Sequence, residues 1–203
     1  MPSLVLASAS AARAAILTAA GIDFTVRTAP IDERSVEAPL LARGAASEEI
    51  AAKLADAKAV AVSRILMDAV VIGADQVLDF GGERWTKPAT IAVARDQLKR
   101  LASHSHRLAT AVAVARAGTV VWQHLETPRL AMRPLSDAEI DAYLARVGYA
   151  VLTTVGAYQV EGVGIQLFDA IDGDYFSVLG LPLLPLLAEL RRQGAIDLAR
   201  GPR

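Results

Sequence analysis

The run Ala69-Val70-Val71-Ile72-Gly73-Ala74-Asp75 constrains this chain more than any other segment. An unbroken apolar stretch of that length that stops at a carboxylate reads as a buried strand inside a sheet. Val77 to Phe80 continues the extended pattern until Gly81-Gly82 turns the chain back through Glu83 to Trp85, a hairpin. Leu4-Val5-Leu6 is a second, shorter buried-strand signature, joined by Ala7-Ser8-Ala9-Ser10 to an alanine-rich helix that Gly21 stops. A chain of 203 residues is long enough for one sizeable core or two small lobes.

Further elements follow the same two periodicities. Ile22, Phe24 and Val26 alternate with Asp23, Thr25 and Arg27 as a half-buried strand, and the polar stretch from Pro30 to Gly44 reads as surface loop. Ser47 is placed to cap a helix whose inward face is Ile50, Leu54, Ala57, Ala61 and Ile65. Thr90 opens another with Ala94, Leu98 and Leu101 inward; Leu108–Ala115 and Thr119–Trp122 flank a Gly118 turn as paired strands. Ser136 and Glu139 form a capping box ahead of Ile140, Leu144 and Val147, with Gly148 as the stop. The last third predicts a strand over Ile165–Ile171, an Asp172-Gly173-Asp174 turn and a closing helix in GLPLLPLLAELRR, with Pro182 and Pro185 in the tolerant first turn. Strands interleaved with helices, plus hairpins, imply an α/β fold with a mixed, twisted sheet and flanking helices.

Composition excludes several classes. The apolar share is 53%, but about 40 of those residues are alanine, which leaves the larger apolar side chains at the level of an ordinary globular domain. With 21 basic and 22 acidic residues the net charge is −1, so no overall field draws the chain to nucleic acid or an anionic membrane, and any bound anion must be met locally. The absence of cysteine excludes disulfides, a thiol nucleophile and Cys-built metal centres, and fits a reducing cytoplasm. The longest apolar runs, near Ala69–Ala74 and Leu179–Leu187, are half of the ~20 residues a spanning helix needs. No basic residue precedes the first apolar stretch and Arg13 interrupts it, so the start of the chain reads as structure and not as an export signal.

Candidate chemistry gathers in a few places. Ser8 and Ser10 sit on a small-residue loop leading into a helix N-terminus, where backbone amides receive phosphate, and Arg13 just inside matches phosphate oxygens with a planar fork. Such loops also occur as plain joins. Asp75 ends the apolar strand where open α/β sheets place ligands; it either binds metal, activates water or caps a neighbouring turn. Lys87 precedes Pro88 and Lys58 lies beside an inward helix face, each a cation for a site or a solvated side chain. Glu33 stands in the polar loop and Glu161 between glycines at QVEG, where backbone freedom lets a carboxylate point into a cleft, although loop carboxylates are usually only solvated. His104, His106 and His124 lack the spacing of a zinc site, and Trp85, Trp122 and Tyr158 read as packing.

The order of these blocks carries more than any one of them. LVLASASAARAAIL, IDE, LADAKAVAV, VIGADQVLDFGGERWTKP, GAYQVEGVGIQLF and IDGDYFSVLGLPLLPLL resemble, in sequence, the blocks of the Maf family of nucleotide pyrophosphatases, historically called septum formation inhibitors. The resemblance covers nearly the whole chain. It implies a single domain over residues 1–203 with an elongated, two-lobed Maf/ITPase-like shape around a central cleft. It also implies a cytoplasmic enzyme dependent on Mg²⁺ or Mn²⁺ that cleaves a nucleoside triphosphate between its α and β phosphates. A homodimer is implied too, with no nucleic-acid or membrane partner.

By motif position the resemblance carries phosphate binding to Ser8, Ser10 and Arg13, the acid of the second block to Glu33, the basic residues to Lys58 and Lys87, the general base to Asp75 and base recognition to Gln76 and Glu161. Glu33 and Asp75 are the implied metal ligands. Ala11 and Ala12 depart from the Pro followed by Arg or Trp usual there, and Thr86 replaces the usual Gly or Glu. Gln76 and Glu161 are similar to the branch acting on 7-methyl-GTP. The alternative is a nucleotide-binding regulator of cell division without turnover.

Overall fold

The computed structural model describes residues 2–199, so the expected limits of 1–203 extend past it at both ends. Strand β1 (Leu4–Leu6) leads into helix α1 (Ala11–Ala19), and β2 (Thr25–Val26) returns parallel to β1. Helices α2 (Glu33–Ala42) and α3 (Ser47–Ser63) precede the long strand β3 (Val70–Phe80), which turns into β4 (Glu83–Trp85). Then come α4 (Ile91–Leu101), β5 (Ser105–Arg116), β6 (Thr119–Glu126), β7 (Arg129–Met132) and α5 (Asp137–Val147). A series of 3-10 turns leads to β8 (Phe168–Asp172), the short α6 (Tyr175–Val178) and α7 (Leu183–Arg192).

The described residues build one eight-stranded mixed sheet in the order β2-β1-β3-β5-β7-β8, with β4 beside β3 and β6 beside β5. β1 runs parallel to β3, pairing Leu4 with Val70 and Leu6 with Ile72, whereas β3 and β5 are antiparallel from Val71–Ala115 to Asp79–Arg107. The β5–β6 turn uses positive φ at Ala117 (47°) and Gly118 (78°), the twist a tight hairpin requires. Helices cover both faces. Leu6, Ile16, Leu17, Ile72, Val114 and Leu186 pack α1 and α7 on one side, while Ile50, Leu54, Ala55 and Ala59 of α3 meet Ala111 and Ala113 on the other. A third cluster around Leu78, Leu98, Leu130, Ile140 and Tyr158 fills the far end of β3 and β5.

Several expectations hold as read. The hairpin at Gly81-Gly82, the Thr90 cap accepting from Val93 N, the Ser136–Glu139 capping box and the closing helix are all present, the last with Pro185 in its first turn and Pro182 one place earlier, as its N-cap.

Others are corrected. Most of the expected 30–44 loop is helix, Glu33–Ala42: Asp32 caps α2, and its polar face is satisfied because the buried Glu37 pairs with Arg84 of β4. The strand expected over Ile22–Arg27 contracts to Thr25–Val26, since β1 is only three residues long and offers no further edge. Ser47 does not cap α3; its Oγ donates to Asp79 Oδ2 at 3.1 Å, and the cap position is Ala46.

The inward face of α3 is also rotated from the expected one. Ala51, Ala55, Lys58, Ala59 and Val62 are buried, Ala57 and Ala61 only half so, and Ile65 lies beyond the helix at 47% exposure. Small side chains face the sheet because α3 crosses β3 at Gly73, where an added Cβ would lie 2.2 Å from Ala55 O and 2.8 Å from Ala59 Cβ. The expected strand start at Ile165 is a 3-10 turn, Val163–Leu167, with β8 beginning only at Phe168. Asp174 does more than turn the chain: it caps α6 through Ser177 N at 2.7 Å. Asp75 lies within β3 and not at its end, because β3 continues to Phe80 against β5.

Candidate active site

The parallel partner of β3 stops well before β3 does, and this difference in length opens the site. After Leu6 the chain leaves the sheet with a last bond from Ala7 N to Ile72 O at 2.7 Å, so β3 runs on through Asp75 without β1 beside it. The Ser8–Ser10 loop crosses this opening and turns into α1, with Ser10 Oγ accepting from Arg13 N at 3.4 Å as the helix cap. A crevice outside the carboxyl end of a parallel strand is where open α/β sheets receive ligands.

Arg13 is buried in the floor of the opening. Its Nε donates to Gly180 O at 2.8 Å, and Nη1 donates to Ala74 O at 2.8 Å and Ser8 Oγ at 3.0 Å. One guanidinium thus joins the Ser8 loop, β3 immediately before Asp75, and the approach to α7. Burial pulls its pKa down, an effect countered by the negative charges of Asp75 and Glu33. Nη2 forms no hydrogen bond among the described residues.

Lys58 reaches the same place from α3. Because Gly73 lets that helix touch β3, the Lys58 ammonium lies 2.6 Å from Asp75 Oδ1 and 2.9 Å from Glu33 Oε1. Lys58 and Asp75 side chains are each 11% exposed and Glu33, on the first turn of α2, is 52% exposed, so the pair is shielded and Glu33 closes it from the solvent side. A paired charge held this far from water loses several kcal/mol if its partner is removed, on the order of 3–5 kcal/mol.

Five of the nine residues proposed from sequence therefore converge: Ser8, Arg13, Glu33, Lys58 and Asp75. Ser10 caps the helix that holds Arg13. Lys87 is exposed on the segment after β4 and forms no ion pair among the described residues. Gln76 faces the other side of the sheet from Asp75, as neighbours in a strand do. Its amide nitrogen lies 2.9 Å from Thr110 Oγ1, 3.0 Å from Ser177 O and 3.1 Å from Val178 O, so it holds α6. Glu161 is the charged residue in the wall of an otherwise apolar cavity of about 420 Å³ formed by Ala12, Ala15, Ile16, Phe176 and Leu179. That cavity adjoins Arg13 through Ala12 and the Gly180 loop through Leu179.

Sequence reasoning did not identify the Ala74 and Gly180 carbonyls, which hold Arg13, nor Gly73, which seats Lys58. Gly73 alone left a signal, a glycine inside an apolar strand. Among the described residues no group of three or more His, Asp or Glu side chains is arranged to hold a metal ion. No helix among them is long and apolar enough to cross a membrane.

The Maf-like protein family model matches residues 3–193, and the chain belongs to that family. It is 50% identical over 196 residues to the 7-methyl-GTP pyrophosphatase of Rhizobium meliloti (strain 1021), covering 97% of this chain and 98% of that one. It is 53% identical over 194 residues to the 7-methyl-GTP pyrophosphatase of Brucella abortus biovar 1 (strain 9-941), covering 96% and 98%. It is 47% identical over 193 residues to the nucleoside triphosphate pyrophosphatase of Granulibacter bethesdensis, covering 95% and 98%.

Proposed function

We propose that this chain is a nucleoside triphosphate pyrophosphatase that hydrolyses the α–β phosphoanhydride, releasing a nucleoside monophosphate and pyrophosphate, with 7-methyl-GTP as the favoured substrate. The observation that carries the reading is the Lys58 bridge between Asp75 and Glu33, set beside the Arg13 that anchors the Ser8 loop. The names of the relatives give the reaction class, and the resemblance of positions 76 and 161 to the branch acting on 7-methyl-GTP gives the lean toward a methylated guanine.

In this reading the Ser8–Ser10 loop and the α1 N-terminus receive phosphate oxygens, with Arg13 holding the loop in shape and turning Nη2 toward the anion. Lys58 and Lys87 balance the charge of the polyphosphate. Asp75 orients water for attack on the α-phosphorus and accepts its proton, the α–β bridging bond breaks, and pyrophosphate leaves with the bridging oxygen.

The half-exposed Glu33 and the shielded Asp75 meet at the Lys58 ammonium, and two carboxylates are as many as a hard divalent cation such as Mg²⁺ takes from protein when phosphate and water fill its other positions. Glu33 and Asp75 are the residues that would hold Mg²⁺ or Mn²⁺; when bound, the ion neutralises charge on the reacting phosphates. The nucleobase would occupy the cavity at Ala12 and Phe176, with Glu161 accepting from the donor edge of guanine or opposing the positive charge of its methylated form. A cytoplasmic homodimer rests on the family resemblance and is read by light scattering.

The test is a panel of ordinary and modified nucleoside triphosphates with Mg²⁺ or Mn²⁺, the products read by phosphorus NMR. Pyrophosphate plus monophosphate supports the reading; orthophosphate marks a phosphatase, and no turnover marks a binding protein. Glu161→Gln should change the ranking across the panel, and an unchanged ranking removes Glu161 from base recognition.

A further inference from the structure

One polar pair inside the third core cluster has no part in the chemistry above. His106 is 2% exposed on β5, and its Nε2 lies 2.6 Å from the hydroxyl of Tyr158, itself 5% exposed. Tyr158 belongs to the same buried cluster as Leu78, Leu98, Leu130 and Leu167. An imidazole and a phenol taken from water into such a setting stabilise less than two apolar side chains of the same shape would, so what the pair adds is a fixed geometry.

The geometry it fixes is that of the Glu161 turn. Tyr158 lies in a slot that only glycine permits at position 156, where φ is +77° and an added Cβ would lie 2.6 Å from the Tyr158 ring and 2.7 Å from Leu78 Cδ1. Phe168 packs edge-to-face with the ring, at 4.8 Å between centroids. The chain then closes on itself directly after Tyr158. Gly162 N donates to Gln159 O at 3.3 Å, Ile165 N donates to Gly162 O at 3.2 Å, and Gly164 packs so closely on Gln159 that a Cβ there would lie 2.5 Å from its carbonyl oxygen. Glu161 is the tip of this closed turn, and Tyr158 is its stem.

We infer that the Tyr158–His106 bond is a positioning device that sets where the Glu161 carboxylate meets the nucleobase, and so sets nucleotide preference without touching substrate. The inference rests on the proposed role of Glu161 in base recognition.

Tyr158→Phe keeps the ring and removes the bond, and His106→Gln keeps a polar partner for the hydroxyl. In hydrogen–deuterium exchange, Tyr158→Phe should raise exchange of the amides over 159–165 and leave α3 and β3 as in the wild type. In kinetics, the same variant should raise KM for the favoured nucleotide about 3- to 10-fold, the scale of one lost hydrogen bond, with kcat at saturation retained. His106→Gln should lie nearer the wild type on both readouts. In a Glu161→Gln background, Tyr158→Phe should add no further change to the nucleotide ranking. An unloosened turn in Tyr158→Phe overturns the inference alone, as does a fall in kcat common to all nucleotides with KM unmoved. An unchanged ranking in Glu161→Gln overturns it together with the reading on which it rests.

Discussion

Arg13 Nη1 donates to the carbonyl oxygen of Ala74 at 2.8 Å, one residue before Asp75. Position 13 therefore fixes the backbone that carries the proposed base, besides lying at the phosphate loop. Lysine keeps the charge but lacks the planar fork that reaches Gly180, Ala74 and Ser8 together. Arg13→Lys should lower stability by about 2–4 kcal/mol in urea unfolding, the scale of lost charge-assisted bonds and buried carbonyls left unpaired. Wild-type stability in that variant would refute the anchoring role.

Gly73 sets the distance between Lys58 and Asp75 through the backbone. A methyl group there meets Ala55 O at 2.2 Å and Ala59 N at 2.6 Å, neither of which can rotate away. Gly73→Ala should push α3 from β3, costing about 1–3 kcal/mol as overpacking does, and should lower kcat with the fold retained. Full activity would mean that the close crossing of α3 is not needed to place Lys58.

His106 makes stability depend on acidity. Burial holds its pKa down to about 4, while in the unfolded chain the imidazole titrates near its ordinary 6.5. The unfolded state thus binds more protons between those values, so stability is lost as pH falls through that window and is recovered above it. Unfolding free energy should drop by about 2 kcal/mol between pH 7.5 and pH 5 through this group, and His106→Gln should lack that part of the decline. Parallel pH profiles for the two proteins would contradict it.

What the sequence made legible follows from the range of the forces involved. The β3–β4 hairpin, the α4 cap and the α5 capping box rest on residues a few positions apart, and each reads correctly. Helix α2 does not, because its polar sequence gains burial through Glu37 and Arg84, which are 47 positions apart. The rotated face of α3 misleads for a related reason: periodicity favours large side chains, whereas contact with Gly73 demands small ones. At the site, the convergence of Arg13, Lys58, Glu33 and Asp75 was legible as block order. That Gln76 turns its amide to α6 was not, since Ser177 and Val178 lie about a hundred residues away.

The central claim is that the carboxylate held by Lys58 at 2.6 Å performs the hydrolysis, and Asp75→Asn tests it most directly. With circular dichroism and the unfolding midpoint confirming the fold, kcat for pyrophosphate release should fall at least ~100-fold, the scale of a lost general base. Turnover within a few-fold of the wild type would contradict the account.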